Sequence, residues 1–120
     1  MKFCWSTLRV KNLEESIKFY SDIVGLEVVN RFKGGPDTEI AFLGAGETKI
    51  ELICSGSGDV SVGDDISWGF EVESLDKSLA LVREKGIKVE GGPVQPNPHV
   101  RFFFVKDPNG MKIQLVENIA

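Results

Sequence analysis

The 120-residue chain lacks most features that mark exported, membrane-spanning or nucleic-acid-binding proteins. It has two cysteines and one histidine, and none of its apolar runs is long enough for a transmembrane helix. Its 14 basic and 18 acidic residues give a net charge of −4 without a run of like charge, which argues against a nucleic-acid or anionic-membrane surface. The start of the chain turns polar too early for a secretory signal. We therefore expect a cytoplasmic protein with reduced cysteines and without a membrane or nucleic-acid partner.

The first half of the chain predicts a strand, a helix and three further strands. Asn12 has the character of a helix N-cap, apolar residues follow it at helical spacing, and Gly25 is a natural stop. The strands are predicted from apolar alternation and from the glycine-containing turns between them, at residues 2–10, 26–32, 39–43 and 49–54. The last three should form an antiparallel meander, because short turns connect them.

The second half repeats this order after a Gly/Ser-rich linker at residues 55–59. Ser74 is predicted to cap the second helix and Gly86 to end it. The predicted strands are residues 67–73, 87–89, 100–106 and 111–117, and a proline-rich loop at 91–98 separates the second from the third.

The two halves also match residue by residue. Residues 10–17 match residues 72–79 at an offset of 62, and residues 49–53 match residues 112–116 at an offset of 63. Chance similarity between two amphipathic helices does not explain the second match. We infer an α+β fold made of two tandem βαβββ modules, about 1–55 and 66–120, within a single domain of ordinary length.

Strand alternation predicts which side chains turn away from the helices and into a cleft between the two sheets. In the fourth strand Ile50 and Leu52 should pack beneath the helix, so that Glu51 points the other way. By the same parity Cys4 and Cys54 should be buried on the helix side. The predicted ligand-binding cleft comprises Trp5, Thr7, Arg9, Glu51, Ser67 and Gln114.

These modules resemble the vicinal oxygen chelate superfamily, which includes glyoxalase I, bleomycin-resistance proteins and extradiol dioxygenases. The similarity spans the chain, is closest by pattern to glyoxalase I, and is carried by LRVKNLEESIKFYSDIVGLEVV, KIELI, GFEVESLDKSLALVREKG and FVKDPNGMKIQLVE. It implies curved sheets around a cleft, helices on the outer faces, and a homodimer.

The resemblance also implies where a metal would bind. The family's four metal-binding positions correspond to Trp5, Glu51, Ser67 and Gln114, and only Glu51 is a strong ligand. Glyoxalase chemistry needs a metal and a carboxylate base, and the position expected for that base holds Gln114. We therefore predict an incomplete metal site and no cofactor.

Several residues allow two interpretations. Glu51 can serve as a ligand acceptor or general base, or it can form an ion pair with Arg9, which matches a position that contacts the glutathione carboxylate in glyoxalase I. Trp5 can be a stacking platform for a planar ligand or a core residue. His99, the only histidine, can be an acid–base group or a surface loop residue.

These interpretations are compatible with three alternative functions. The first is a metal-free member of the superfamily that binds a small organic molecule in its cleft. The second is a glyoxalase I-like lyase or isomerase, as in the lactoylglutathione lyase family, which uses a non-standard site around Glu51 and His99. The third is a structural or regulatory dimer with a filled cleft.

Overall fold

The computed structural model describes residues 1–56 and 59–120, which form two compact units, Met1–Ser61 and Val62–Ala120. Each unit consists of a four-stranded mixed sheet with one helix, so the predicted α+β class is confirmed. Two residues of the predicted linker, 57 and 58, lie outside the described residues. No helix within the described residues has the length and apolar character needed to cross a membrane.

In the first unit a parallel pair of strands is joined to an antiparallel meander. The sheet has the order β1-β4-β3-β2, with β1 parallel to β4 and the other pairs antiparallel. Its elements are β1 Trp5–Arg9, α1 Leu13–Phe19, a π-helical segment Tyr20–Val24, β2 Val28–Gly35, β3 Thr38–Leu43 and β4 Lys49–Ser55.

The second unit has the same topology, with the order β5-β8-β7-β6. Trp5 pairs with Lys49 in the first sheet, and Ser67 pairs with Lys112 at the equivalent position of the second. The offsets of 62 and 63 seen in the sequence therefore fall on equivalent strands. The elements are β5 Ser67–Glu71, α2 Leu75–Glu84, β6 Gly91–Asn97, β7 Val100–Lys106 and β8 Lys112–Asn118.

Both helices begin where the sequence predicts. The Asn12 side chain accepts a hydrogen bond from the backbone of Glu15 at 2.9 Å, and the Ser74 hydroxyl accepts one from the backbone of Lys77 at 3.2 Å. Each cap satisfies a backbone N–H that has no partner within the helix. The first helical residue after each cap is a buried leucine, so the caps fix the helices at the start of their apolar stripes.

The stretch from the start of α1 through the π-helical segment to Gly25 is one residue longer than its counterpart from the start of α2 to Gly86. In α2 the amide after Gly86, that of Ile87, bonds to the carbonyl of Val82, five residues back. At the end of the π-helical segment Leu26 bonds instead to Tyr20, six residues back, and Tyr20 is the counterpart of Val82 at the offset of 62. A π-helical turn is an α-helical turn with an inserted residue. Gly25 and Gly86 end the two helices with positive φ angles of 84° and 72°.

Alternation along the strands gives each sheet one tightly packed face. The buried apolar residues of the strands are Leu8, Ala41, Leu43, Ile50 and Leu52 in the first unit and Phe103, Val105, Ile113 and Leu115 in the second. Arg31 marks this face as the helix side, because it pairs with Glu14 on α1 and its row runs through Ala41 and Leu52. The predicted packing side is therefore correct.

The second strand of the second unit was predicted wrongly. Residues 87–89 are not a strand, and β6 is Gly91–Asn97, where the sequence predicts a loop. The strand tolerates its two prolines because it is a sheet edge and pairs with β7 only at Gly91, Val94 and Asn97. Pro93 and Pro96 occupy the positions between these pairs, where no amide is needed for the ladder.

The prediction for the cysteines is also partly wrong. Cys4 is exposed, because it precedes β1 and strand parity does not apply to it. Cys54 is half-buried at the end of β4, and its thiol lies 3.5 Å from the carbonyl oxygen of Lys11. Strand β2 begins later than predicted and runs to Gly35, because the turn uses only residues 36 and 37.

Candidate functional site

The predicted site residues lie on the side of each sheet that points away from its own helix, which we call the helix-free face. In the first sheet one row crosses all four strands, from Thr7 through Glu51 and Phe42 to Asn30. Residues opposite one another in a sheet share a face, and their neighbours along each strand point to the other face. The helix-free face therefore combines polar and aromatic side chains.

Glu51 is held by its neighbour in this row. The hydroxyl of Thr7 donates to Oε1 of Glu51 over 2.5 Å. A carboxylate that accepts a hydroxyl in this way is fixed in one orientation, and its second oxygen can accept a donor from elsewhere. Of the predicted site residues, Thr7 and Glu51 are thus brought together. The predicted ion pair of Arg9 with Glu51 stays a prediction.

The second sheet carries the equivalent row, Gly69, Gln114, Phe104 and Gly91. Gln114 thus occupies the position of Glu51, and Gly69 that of Thr7. A Cβ atom on Gly69 would lie 3.4 Å from the Gln114 side-chain oxygen, so glycine leaves the room that this side chain uses. Ser67, the counterpart of Trp5, is exposed at the start of β5.

Three aromatic rings lie in contact across the first helix-free face. The rings of Trp5 and Phe42 meet edge to face, with centroids 5.2 Å apart and an angle of 72°. Phe42 stacks in turn on Phe32 at 6.2 Å and 19°. Trp5 is 49% exposed, so the interpretation of this residue as core is wrong. Its strand position directs it away from α1, whereas strand alternation puts the core on the other face.

A pocket of about 450 Å³ opens beside these rings. Trp5 and Phe42 supply its aromatic walls, and Lys2, Lys49 and Glu47 supply charge. The remaining lining residues are Cys4, Val29 and Asn30. The sequence interpretation missed Phe42, Lys49 and Asn30. Lys49 could have been predicted from the alternation of β4, because it has the same parity as Glu51. Phe42 and Asn30 could not, because their places depend on the register between neighbouring strands.

A second pocket of about 430 Å³ lies within the first unit between the start of α1 and the β2–β3 hairpin. Arg31 lines this pocket and is paired with Glu14 and with Glu39, the latter at 2.9 Å. The hydrogen bonds that Arg31 donates to Glu39 and Glu14 raise the pKa of Arg31 above its ordinary value. Because Glu14 lies on α1 whereas Arg31 and Glu39 lie on β2 and β3, this network ties the helix to the meander.

His99 lies in the exposed turn before β7. Its ring Nδ1 is 3.3 Å from the carbonyl oxygen of Ile119, and its own carbonyl accepts the Ile119 amide at 2.7 Å. These contacts fasten the end of the chain to the turn. They match the interpretation of His99 as a surface loop residue, and an acid–base role stays a prediction.

The residues that the sequence resemblance assigns to the family's metal positions do not fit a catalytic zinc or nickel ion. A tryptophan indole offers a donor N–H and no lone pair, and the hydroxyl of Ser67 and the amide of Gln114 are neutral. Glu51 is the single anionic donor of the set. Residues 1–56 and 59–120 contain no group of three or more His, Cys, Asp or Glu side chains arranged to hold a metal ion.

Comparison with known proteins identifies the family to which the chain belongs. Residues 3–115 match the model of the Glyoxalase/Bleomycin resistance protein/Dioxygenase superfamily. The lactoylglutathione lyase of Haemophilus influenzae is 33% identical over 98% of this chain and 93% of its own length. Two solved structures share the fold: glyoxalase I of Leishmania major and TnmS3, an antibiotic binding protein from Streptomyces. The first has a TM-score of 0.84 and 24% identity over 98% of this chain and 86% of its own. The second has a TM-score of 0.78 and 20% identity over 98% and 96%. The chain therefore belongs to the glyoxalase, bleomycin resistance protein and dioxygenase superfamily, as its sequence resemblance predicts.

Proposed function

We propose that this protein binds a small organic molecule on the helix-free face of its first sheet without using a metal ion. The observation that carries the proposal is the chemical environment of Glu51. It is the single anionic side chain at the family's metal positions, and its carboxylate already accepts the hydroxyl of Thr7. A metal ion at this place would find one carboxylate where catalytic sites supply three protein ligands.

Two further observations support binding. The pocket beside Trp5 has the volume of a small-molecule site, and it combines apolar walls with a few polar groups. An exposed tryptophan and two phenylalanines in contact are a large apolar surface to leave in water. TnmS3, which shares the fold, is named as an antibiotic binding protein.

Within such a site the chain's own residues would orient the ligand. Thr7 fixes Glu51, which does not line the pocket but is paired with Phe42 on the same face, so that its Oε2 can accept a hydrogen bond from a donor on a part of the ligand that extends beyond the pocket. Trp5 and Phe42 would exclude water from one side of the ligand. No proton transfer or bond cleavage is needed for this function.

A second candidate is a lyase or isomerase that acts on a glutathione adduct. The observation in its favour is the 33% identity to a lactoylglutathione lyase over nearly the whole of both chains. In this case Glu51 would have to act as the base that removes a proton from the substrate. The binding function is preferred because the position expected to hold a second carboxylate carries Gln114.

Thermal melts of the wild type and Glu51→Gln, each with EDTA, Zn²⁺ or Ni²⁺, separate the two candidates. For a binding protein we expect no metal-induced rise in Tm in either protein. A separate activity assay should detect no lactoylglutathione formation. The substitution itself should change stability little. It replaces a charged hydrogen-bond acceptor by a neutral amide oxygen and also removes the cost of desolvating the charge, two opposing effects that are each on the order of 1–3 kcal/mol.

Thr7→Val is the matched control, because it removes the hydroxyl and leaves the carboxylate in place. A metal-bound Glu51 would make the wild type and Thr7→Val gain stability with metal while Glu51→Gln gains none. That result, or glyoxalase activity that Glu51→Gln abolishes, would refute the proposed function.

A further inference from the structure

We infer that the pocket beside Trp5 selects a flat aromatic molecule that carries a negative charge. The inference rests on the proposed function and specifies its ligand class. It is drawn from the two ring planes and the two lysines of this pocket.

The ring planes favour a flat ligand. Trp5 and Phe42 meet at 72°, so they form a corner with two aromatic walls. A planar ring that stacks on one wall presents its edge to the face of the other, and both arrangements are favourable between aromatic groups. Phe32 lies behind Phe42 in a stacked arrangement and supports that wall. An aliphatic ligand would fill the corner without forming either the stacked or the edge-to-face contact.

The charged groups of the pocket favour an anion. Lys2 and Lys49 line it together with one acid, Glu47, so that its formal charge is positive in a chain of net charge −4. Among the residues that the structure describes, neither lysine takes part in an ion pair. Glu51 belongs to the same face, but it does not line this pocket and is bonded to Thr7.

The second sheet provides an internal comparison for Lys49. Its counterpart, Lys112, is already engaged. The Lys112 ammonium donates to the carbonyl of Asp64 at 3.2 Å and lies 5.9 Å above the ring of Phe104. At the equivalent position of the first sheet the lysine faces a pocket, and the residue paired with it is the exposed Trp5 in place of Ser67. The lysine therefore lies beside an exposed tryptophan and a pocket in the first sheet, whereas its counterpart in the second sheet is already engaged.

The strands hold this pair in place. The Lys49 amide donates to the carbonyl of Cys4 at 3.1 Å, and the Thr48 hydroxyl donates to the carbonyl of Phe3 at 3.0 Å. The backbone before Trp5 is therefore tied to the backbone before Glu51. Because the ring and the cation start from paired strand positions, the backbone needs little further ordering when a ligand binds.

Two fluorescent probes with the same ring system test the inference: anilinonaphthalene sulfonate, which is an anion, and N-phenylnaphthylamine, which is neutral. We expect the wild type to bind the anion more tightly. Lys49→Gln should weaken binding of the anionic probe by about fivefold, because it removes one partly exposed charged contact. The affinity for the neutral probe should stay within twofold of the wild type. Trp5→Leu should weaken both probes by about three- to tenfold, because it removes the stacking surface.

Lys112→Gln is the matched control, since it makes the same change of net charge at the equivalent position of the other sheet. It should leave the affinity for both probes within twofold. Far-UV circular dichroism and melts of every variant establish that the fold is retained. Raising the salt concentration should reduce the preference of the wild type for the anion.

Three results would overturn the inference: equal affinity for the two probes, equal losses in Lys49→Gln and Lys112→Gln, or an unchanged affinity in Trp5→Leu. These outcomes leave the proposed function standing for another class of ligand. Measurements in EDTA and in Ni²⁺ keep the two claims apart. Probe binding that requires the metal would refute the proposed function, whatever the probe preference.

Discussion

Replacing Asp107 with alanine is expected to destabilise the β7–β8 hairpin, whose second strand carries Gln114. Asp107 is 5% exposed, and its Oδ1 accepts the backbone amides of Asn109 at 2.7 Å and Met111 at 2.9 Å. Its Oδ2 accepts the Asn109 side-chain amide at 3.3 Å. This one carboxylate therefore organises the whole turn between the strands.

The size of the effect follows from what the substitution leaves behind. Met111 is buried, so its amide would lose an acceptor where water cannot replace it, at a cost of about 1–3 kcal/mol. The less buried Asn109 amide adds about 1 kcal/mol, and removal of a buried charge offsets part of the sum. We expect Asp107→Ala to lose about 2–3 kcal/mol of unfolding free energy, or about 10 °C in Tm for a chain of this size.

Urea denaturation followed by circular dichroism measures the loss, and Asp107→Asn is the control. An asparagine oxygen can replace Oδ1 for both backbone amides, so this variant should lose about 1 kcal/mol or less. If the two variants lose the same amount, or if alanine costs less than 1 kcal/mol, the turn does not depend on this acceptor and the reasoning is wrong.

Three further predictions address the edge strand, the family positions and the assembly. Gly92→Ala should cost about 1–3 kcal/mol in urea denaturation, because φ is +87° and the new Cβ would lie 2.9 Å from a β7 carbonyl oxygen. Gly91→Ala, whose Cβ would have an ordinary contact at 3.8 Å, should cost less than the change at Gly92, and equal costs would contradict the steric argument. If Trp5, Ser67 and Gln114 occupy the family's metal positions, changing them to His, His and Glu should create a metal-induced rise in Tm. Zn²⁺ at 100 times its dissociation constant would add about 2.7 kcal/mol, and an unchanged melt would show that the positions do not correspond. We also expect a homodimer in sedimentation experiments, and a 13.2 kDa species at micromolar concentration would disprove this.

The sequence predicted the parts of the fold that depend on local chemistry. Asn12 and Ser74 are caps because of their side-chain oxygens, and alternation in KIELI and KIQLV separates the faces of β4 and β8. These features need only the chain itself. The predicted strand at residues 87–89 failed because prolines signal a loop, whereas an edge strand that pairs at every third residue accepts them.

The site was predictable only along single strands. Parity correctly assigned Glu51 and Thr7 to one face, and the hydrogen bond between them follows from the parallel pairing of β1 with β4. Phe42 was not predicted, because its place beside Glu51 depends on the register between β3 and β4. The exposure of Trp5 depends on what covers a face, and the composition of one strand does not determine that.

The extra residue in the π-helical segment bears on where this fold accepts changes of length. It is absorbed between Tyr20 and Gly25, before β2 begins, so the strand pairing of the first sheet retains the pattern of the second. Helix length and sheet register are thus independent of each other at this junction. A one-residue deletion here converts the segment to an ordinary α-helical turn, whereas the same deletion inside β4 would turn Glu51 and every later side chain of that strand to the opposite face. Insertions and deletions between the helix and the second strand can therefore accumulate in each module without disturbing the residues that face a ligand.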